Sequence, residues 1–183
     1  MPPPADEVWH FSEDPGITRF EPHVAATARQ PEAYVWAVDA ANAPSYWFPR
    51  QCPRMLAWVQ ESTTDEDRAF LSAPRVHAIE YSWLEAMRTT RLYAYRFAAK
   101  DFRPFEAHAF VAETEVAPLG PPHPIGDLFA LHDEAGIELR VLSDLWPFVD
   151  AVTASTLGFS GIRLRNARPR RERAAPPPTP FDR

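Results

Sequence analysis

Proline limits how long any regular element of this chain can be. Twenty-one of the 183 residues are proline, and each lacks a backbone N–H and clashes with a helical turn before it. Pro49 and Pro53, four apart, forbid a regular helix through Ser45–Arg54. The prolines at the two ends predict a disordered lead over residues 1–7 and a disordered Arg/Pro-rich tail over 168–183. Residues 8–167 remain as a single globular domain, a common size for one.

Within that domain the apolar residues come in short runs. Strands are predicted at Val8–Ser12, Ala33–Val38, Met55–Val59, Val76–Glu80, Arg91–Phe97, Ala109–Val111 and Phe159–Leu164, with a short strand or helix extension at Ile137–Val141. Ser82–Thr89 reads as a helix with a Ser82/Glu85 capping box. Ile125–Ala135 reads as a helix closed by Gly136, and Leu145–Leu157 as an amphipathic helix with Pro147 in its first turn. The charged stretch Thr63–Leu71 reads as a surface connection. Strands and helices alternate irregularly, without repeats, so the expected class is α+β with mixed or antiparallel sheets and short helices.

Several function classes are disfavoured at once. Six glycines and no GxGxxG or GxxxxGK[ST] argue against a doubly wound dinucleotide fold or a P-loop. One cysteine, Cys52, excludes an internal disulfide framework, and the six histidines show no HxH or HExxH spacing, so no dedicated metal site is expected. No apolar segment reaches spanning length and no signal peptide precedes the domain, which predicts a cytoplasmic protein without membrane contact. Eighteen of the nineteen basic residues are arginine. Six of them crowd between Arg163 and Arg173 in a chain of net charge −6, so an acidic body carries a basic end. Such an end grips nucleic acid or folds back onto its own body; nucleic acid is disfavoured because no binding module accompanies it.

Four constellations carry candidate chemistry. His10 and Ser12 stand at i and i+2 of a strand and share a face, where an imidazole and a hydroxyl hold a ribose or phosphate; alternatively His10 is satisfied by backbone and Ser12 caps the loop. Tyr34, Trp36, Tyr46, Trp47 and Phe48 form an aromatic concentration that stacks on a flat ligand or packs a core. Arg50 and Arg54 bracket the rigid Gln51-Cys52-Pro53 as an anion clamp, or pair with the acidic body. Cys52 has no base beside it to make it a nucleophile. Glu113 and Glu115 share one strand face, where one steadies a developing cation while the other tunes its charge, or both lie on a solvated edge.

The runs His10–Pro15, Val35–Asp39, Tyr46–Arg54 and Phe159–Ala167 resemble an uncharacterised bacterial family, a domain of unknown function, over about residues 8–167. A fainter likeness is to the ADP-ribosyltransferase superfamily, carried in order by His10-Phe11-Ser12, by Val35-Trp36-Ala37-Val38 with Tyr46, and by Glu113 or Glu115. That resemblance implies an ADP-ribosyltransferase-like fold and NAD as substrate, with ADP-ribose passing to an unknown macromolecular acceptor. It implies that His10 and Ser12 hold the nucleotide, Tyr46 stacks on nicotinamide, Arg50 or Arg54 meets the pyrophosphate, and a glutamate stabilises the oxocarbenium-like transition state. Trp36 would line the same cofactor site. The chain departs from the superfamily in having Phe11 where glycine is common, and Pro44 and Pro49 around Tyr46. The competing expectation is a non-catalytic module that binds protein or nucleic acid through the aromatic surface and the arginine tail.

Overall fold

A computed structural model describes residues 4–24, 32–105 and 109–170, among which are ten short strands, four short α-helices and four 3-10 turns. Strand β1 (Glu7–Ser12) pairs antiparallel with β5 (Tyr93–Ala98), which carries β8 (His123–Pro124) on its other edge. A second three-stranded sheet has the order β2 (Val35–Ala37), β7 (Ala109–Ala112), β6 (Arg103–Phe105). Reciprocal backbone hydrogen bonds between Trp9 and Val38, 2.8 and 2.9 Å, stitch the two together. The third sheet runs β10 (Gly158–Ile162), β3 (Arg54–Trp58), β4 (Arg75–Glu80), β9 (Glu138–Leu142), antiparallel except at β4–β9. The molecule is a single α+β domain with antiparallel and mixed sheets.

Both faces of the third sheet are covered, which explains why β3 and β4 are buried along nearly their whole length instead of at alternate residues. Helix α4 (Trp146–Thr153) lays Phe148, Val149 and Val152 on one face, against Met55, Ala57, Val76 and Ala78. Helices α2 (Leu84–Thr89) and α3 (Leu128–Glu134) cover the other with Met87 and Leu128, against Leu56 and Ile79. The first two sheets enclose their own aromatic core of Phe20, Tyr95, Phe97 and Phe102, whose rings meet edge-on or tilted at 5.0–5.4 Å.

Several elements differ from their sequence expectation for local reasons. The predicted connection Thr63–Leu71 contains α1 (Asp65–Phe70), none of whose residues is buried. It is held by its ends: Thr64 Oγ1 accepts from the Asp67 N–H, and Asp67 Oδ2 accepts from the Thr156 N–H at 2.8 Å. The Ser82/Glu85 capping box is not formed. A 3-10 turn at Tyr81–Trp83 runs directly into α2, and Trp83, already helical, occupies the cap position. The helix expected from Ile125 starts at Leu128, where Asp127 Oδ1 accepts from the N–H groups of Phe129 and Ala130. Strand β6 contains Pro104 and lies on a sheet edge, where a missing donor is tolerated.

Strand β1 begins inside the segment expected as lead, at Glu7, and residues 1–3 lie outside the described residues. Of the expected tail, Arg168–Arg170 are docked on the body. The Arg168 N–H donates to both oxygens of the buried Glu80, Trp146 Nε1 donates to the Arg168 carbonyl, and Arg170 forks onto Asp150 while lying 4.1 Å over the Trp146 ring. Residues 171–183 lie outside the described residues.

Candidate functional site

Strand β1 delivers His10 to the margin of the aromatic core, where its ring meets Phe20 edge-on at 5.0 Å. Its Nδ1–H donates to the Trp36 carbonyl at 2.8 Å, a bond that crosses from the first sheet to the second. That bond fixes the ring and leaves Nε2 as an acceptor with no partner among the described residues. Burial pushes the His10 pKa down to about 4, and the nearby positive charge of Arg50 adds to the lowering. At neutral pH the imidazole is therefore uncharged. Ser12, two residues on and buried, accepts from the Asp14 N–H at 3.1 Å, so its hydroxyl caps the loop after β1. Tyr95 reaches the same loop, donating to the Asp14 carbonyl at 2.6 Å and accepting from the Ile17 N–H.

Two further segments close on this one. The Arg50 N–H donates to Glu13 Oε1 at 2.7 Å, which joins the 49–54 turn to the end of β1. Asn166 Nδ2 donates to the Gln51 carbonyl at 2.8 Å, which joins the same turn to the segment after β10. The β3–β10 ladder ends at the Arg54–Ile162 pair, so Arg163 emerges beside the turn. Arg163 has φ 55 and ψ 26, the one positive-φ residue other than glycine among those described. Burial and the charges of Arg165 and Arg50 lower the Arg163 pKa. Three separate stretches, around His10, Arg50 and Arg163, thus meet at one place between the first and third sheets.

The two arginines of the expected clamp have different environments. Arg50 is exposed and its guanidinium pairs with no carboxylate among the described residues. Arg54 is 3% exposed. Its Nε–H and Nη1–H donate to the carbonyls of Ser45 and Cys52, both at 3.0 Å, and its guanidinium lies 4.9 Å over the Phe48 ring. Burial lowers its pKa to about 10. Arg54 therefore staples the 45–52 loop. Tyr46 is on the exposed side of that staple, 6.0 Å from the same guanidinium, with 38% of its surface free. Cys52 is fully buried and its thiol pushed up to about 12, which makes it inert at neutral pH.

The remaining candidates lie elsewhere. Only the carbonyl of Trp36 reaches His10; its indole packs edge-on against Tyr34 and Phe105, at 6.0 and 5.2 Å. Glu113 is ion-paired with Arg103 at 2.8 Å and Glu115 with Arg19, both on the surface. Glu115 is the nearer to the His10 segment, because Val116 exchanges backbone hydrogen bonds with Phe20.

An interior pair escaped sequence reasoning. His77 on β4 and His132 on α3 are fully buried, and His77 Nδ1 lies 3.0 Å from His132 Nε2. Arg75 Nε–H donates to His77 Nε2, so His77 carries its proton on Nδ1 and passes it toward His132, whose Nδ1–H donates to the Leu128 carbonyl at 2.6 Å. Burial lowers both pKa values, with Arg75 and Arg54 adding their charge. Both rings are neutral. The two residues are 55 apart in sequence, and no local spacing announces them.

No three His, Cys, Asp or Glu side chains gather as a metal-binding set among the described residues. None of the described helices is long and apolar enough to cross a membrane. A profile of DUF6886, a family of unknown function, matches residues 9–167. The chain belongs to DUF6886. The match spans all three converging segments and the His77–His132 pair, and it ends one residue before the docked Arg168. Neither the curated proteins nor the solved structures contain a match, and none of these comparisons carries the likeness to ADP-ribosyltransferases.

Proposed function

We propose that this DUF6886 domain binds a nucleotide-type ligand between its first and third sheets, with NAD the first candidate. One observation carries the reading: a neutral histidine, aimed by a backbone carbonyl and open at Nε2, stands beside an exposed arginine without an acidic partner. An open imidazole nitrogen accepts from a ribose hydroxyl, and a free guanidinium takes a phosphate. The exposed ring of Tyr46, on the loop that leads to Arg50, offers a stacking surface. In this reading His10, Tyr46 and Arg50 contact ligand, while Ser12, Trp36 and Arg54 hold the loops and the ring that do so.

Transfer of ADP-ribose to a macromolecular acceptor is the reaction that the likeness adds to this binding. Glu115 is then the preferred carboxylate over Glu113, being next to Val116 and so to the Phe20 that covers His10. It would first have to leave Arg19. The competing interaction module loses part of its surface, since the Arg170 guanidinium is engaged with Asp150 and Trp146.

A thermal shift with NAD, ADP-ribose and nicotinamide, beside a His10→Ala control, tests the binding. A ligand at ~100 times its dissociation constant adds about 2.7 kcal/mol, roughly 5–10 °C for a domain of this size. The expected result is such a shift with NAD or ADP-ribose and its loss in the control. No shift with any of the three sinks the reading.

A further inference from the structure

We infer that Arg50, Arg163 and Arg165 form an anion subsite for a diphosphate group. The inference deepens the nucleotide reading and rests on it for the identity of the rest of the ligand. Three observations point to it.

The first is charge without compensation. None of the three guanidiniums pairs with a carboxylate or donates a hydrogen bond among the described residues. The chain as a whole carries −6 and has 25 acidic side chains to pair with. Arg19, Arg96, Arg103, Arg140 and Arg170 each meet an acid, whereas Arg68, Arg88, Arg91 and Arg168 do not among the described residues. Arg50, Arg163 and Arg165 differ in being close enough that the charges of Arg50 and Arg165 both act on Arg163. Like charges left together in an acidic molecule repel, and an anion between them removes that repulsion.

The second is construction. The three arginines do not arrive on one flexible tail. Arg50 is fixed by its N–H to Glu13, and the Arg163–Asn166 segment is fixed to Gln51 through Asn166. The Glu13 carboxylate, the acid nearest to hand, is turned onto the Arg50 backbone N–H and forms no ion pair with a guanidinium. Arg54 is excluded from the subsite because the carbonyls of Ser45 and Cys52 hold it in the interior.

The third is backbone strain at the centre. Arg163 is left-handed where an L residue with a long side chain pays in steric contact. A glycine would adopt that backbone without the steric cost. Guanidiniums fork onto phosphate oxygens in a planar, two-point geometry, and more than one of them matches more than one phosphate.

The test is calorimetric titration of the whole chain with inorganic pyrophosphate and, separately, with NAD. Both are repeated on Arg163→Gly/Arg165→Gln, in which glycine suits the left-handed backbone and guards the fold. Thermal midpoints confirm that the variant is folded. The expected result is pyrophosphate binding that weakens as salt rises, and at least a tenfold loss of pyrophosphate and NAD affinity in the variant. NAD binding unchanged in the variant overturns the subsite and leaves the nucleotide reading standing. Pyrophosphate binding lost in the variant, with no NAD binding by the unaltered chain, upholds the subsite and removes the nucleotide. No pyrophosphate binding by the unaltered chain overturns the subsite.

Discussion

Three buried or half-buried histidines share one protonation logic. His10, His77 and His132 are neutral in the folded chain, held below their ordinary value by burial, whereas in the unfolded chain each takes a proton near pH 6.5. Between those values the unfolded state binds more protons, so stability falls as pH falls, by up to about 1.4 kcal/mol per pH unit for each residue. The contribution is complete above pH 6.5 and, for His10, is lost progressively down to about 4. Urea midpoints measured from pH 8 to 5 should be flat at first and then drop. Replacing His77 and His132 together by leucine should remove the larger part of that slope; a slope unchanged in the double variant would take the pair out of the account. The sequence exposed this scale unevenly. His10, Arg50 and Arg54 stand in runs whose spacing singles them out; His10 is held by the Trp36 carbonyl, Arg50 by Glu13, and Arg54 is a staple instead of a clamp. Glu113 and Glu115 stood out equally but are engaged in surface ion pairs. His77 and His132 meet only because β4 and α3 do, and that is tertiary information.

Elements were legible where burial on both faces or one-sided periodicity dictated them. Strands β1 and β3 and helix α4 follow their apolar patterns. Helix α1 was not legible, since no residue in it is buried and no apolar stripe exists to read. The same holds for β6, whose proline is tolerated only because of where the strand sits in the sheet. Contact distances at two element ends support predictions. At the start of β10, a Cβ on Gly158 would lie 2.1 Å from the Trp58 indole nitrogen, in the partner strand directly opposite. Gly158→Ala should therefore cost about 1–3 kcal/mol by forcing Trp58 out from under Arg75, which lies 5.9 Å over its ring. Chemical denaturation followed by tryptophan fluorescence reports both effects, and an unshifted midpoint would mean that the ring moves freely. At the start of α3, Asp127→Ala should cost about 1 kcal/mol, because the Phe129 and Ala130 N–H groups lose their acceptor. That loss should be absent in Asp127→Asn, which keeps the oxygen.

At the scale of the whole molecule, the end of the described chain is a clasp. Glu80 is 1% exposed, and the hydrogen bonds found for its carboxylate come from the Arg168 N–H. A chain ending at Ala167 should be less stable than one ending at Arg170 by about 1–3 kcal/mol, the cost of a buried acceptor left unsatisfied. Equal thermal midpoints for the two would show that water replaces the clasp. The sequence placed a boundary at residue 168 from composition alone, because charge and proline content change there. Composition does not reveal that a backbone N–H at that boundary completes a buried carboxylate.

The convergence of residues 10–13, 50–51 and 163–166 has a consequence for the life of the chain. The proposed ligand site is written at opposite ends of the domain, so a chain emerging from the ribosome holds only part of it until β10, the last described strand, has been made and paired. Contacts so distant in sequence are among the last to repay the entropy of closing the intervening loop. A bound anion would then slow unfolding while leaving the first steps of folding untouched. Occupancy of the proposed site would certify that synthesis has passed β10 and the strand has found its place.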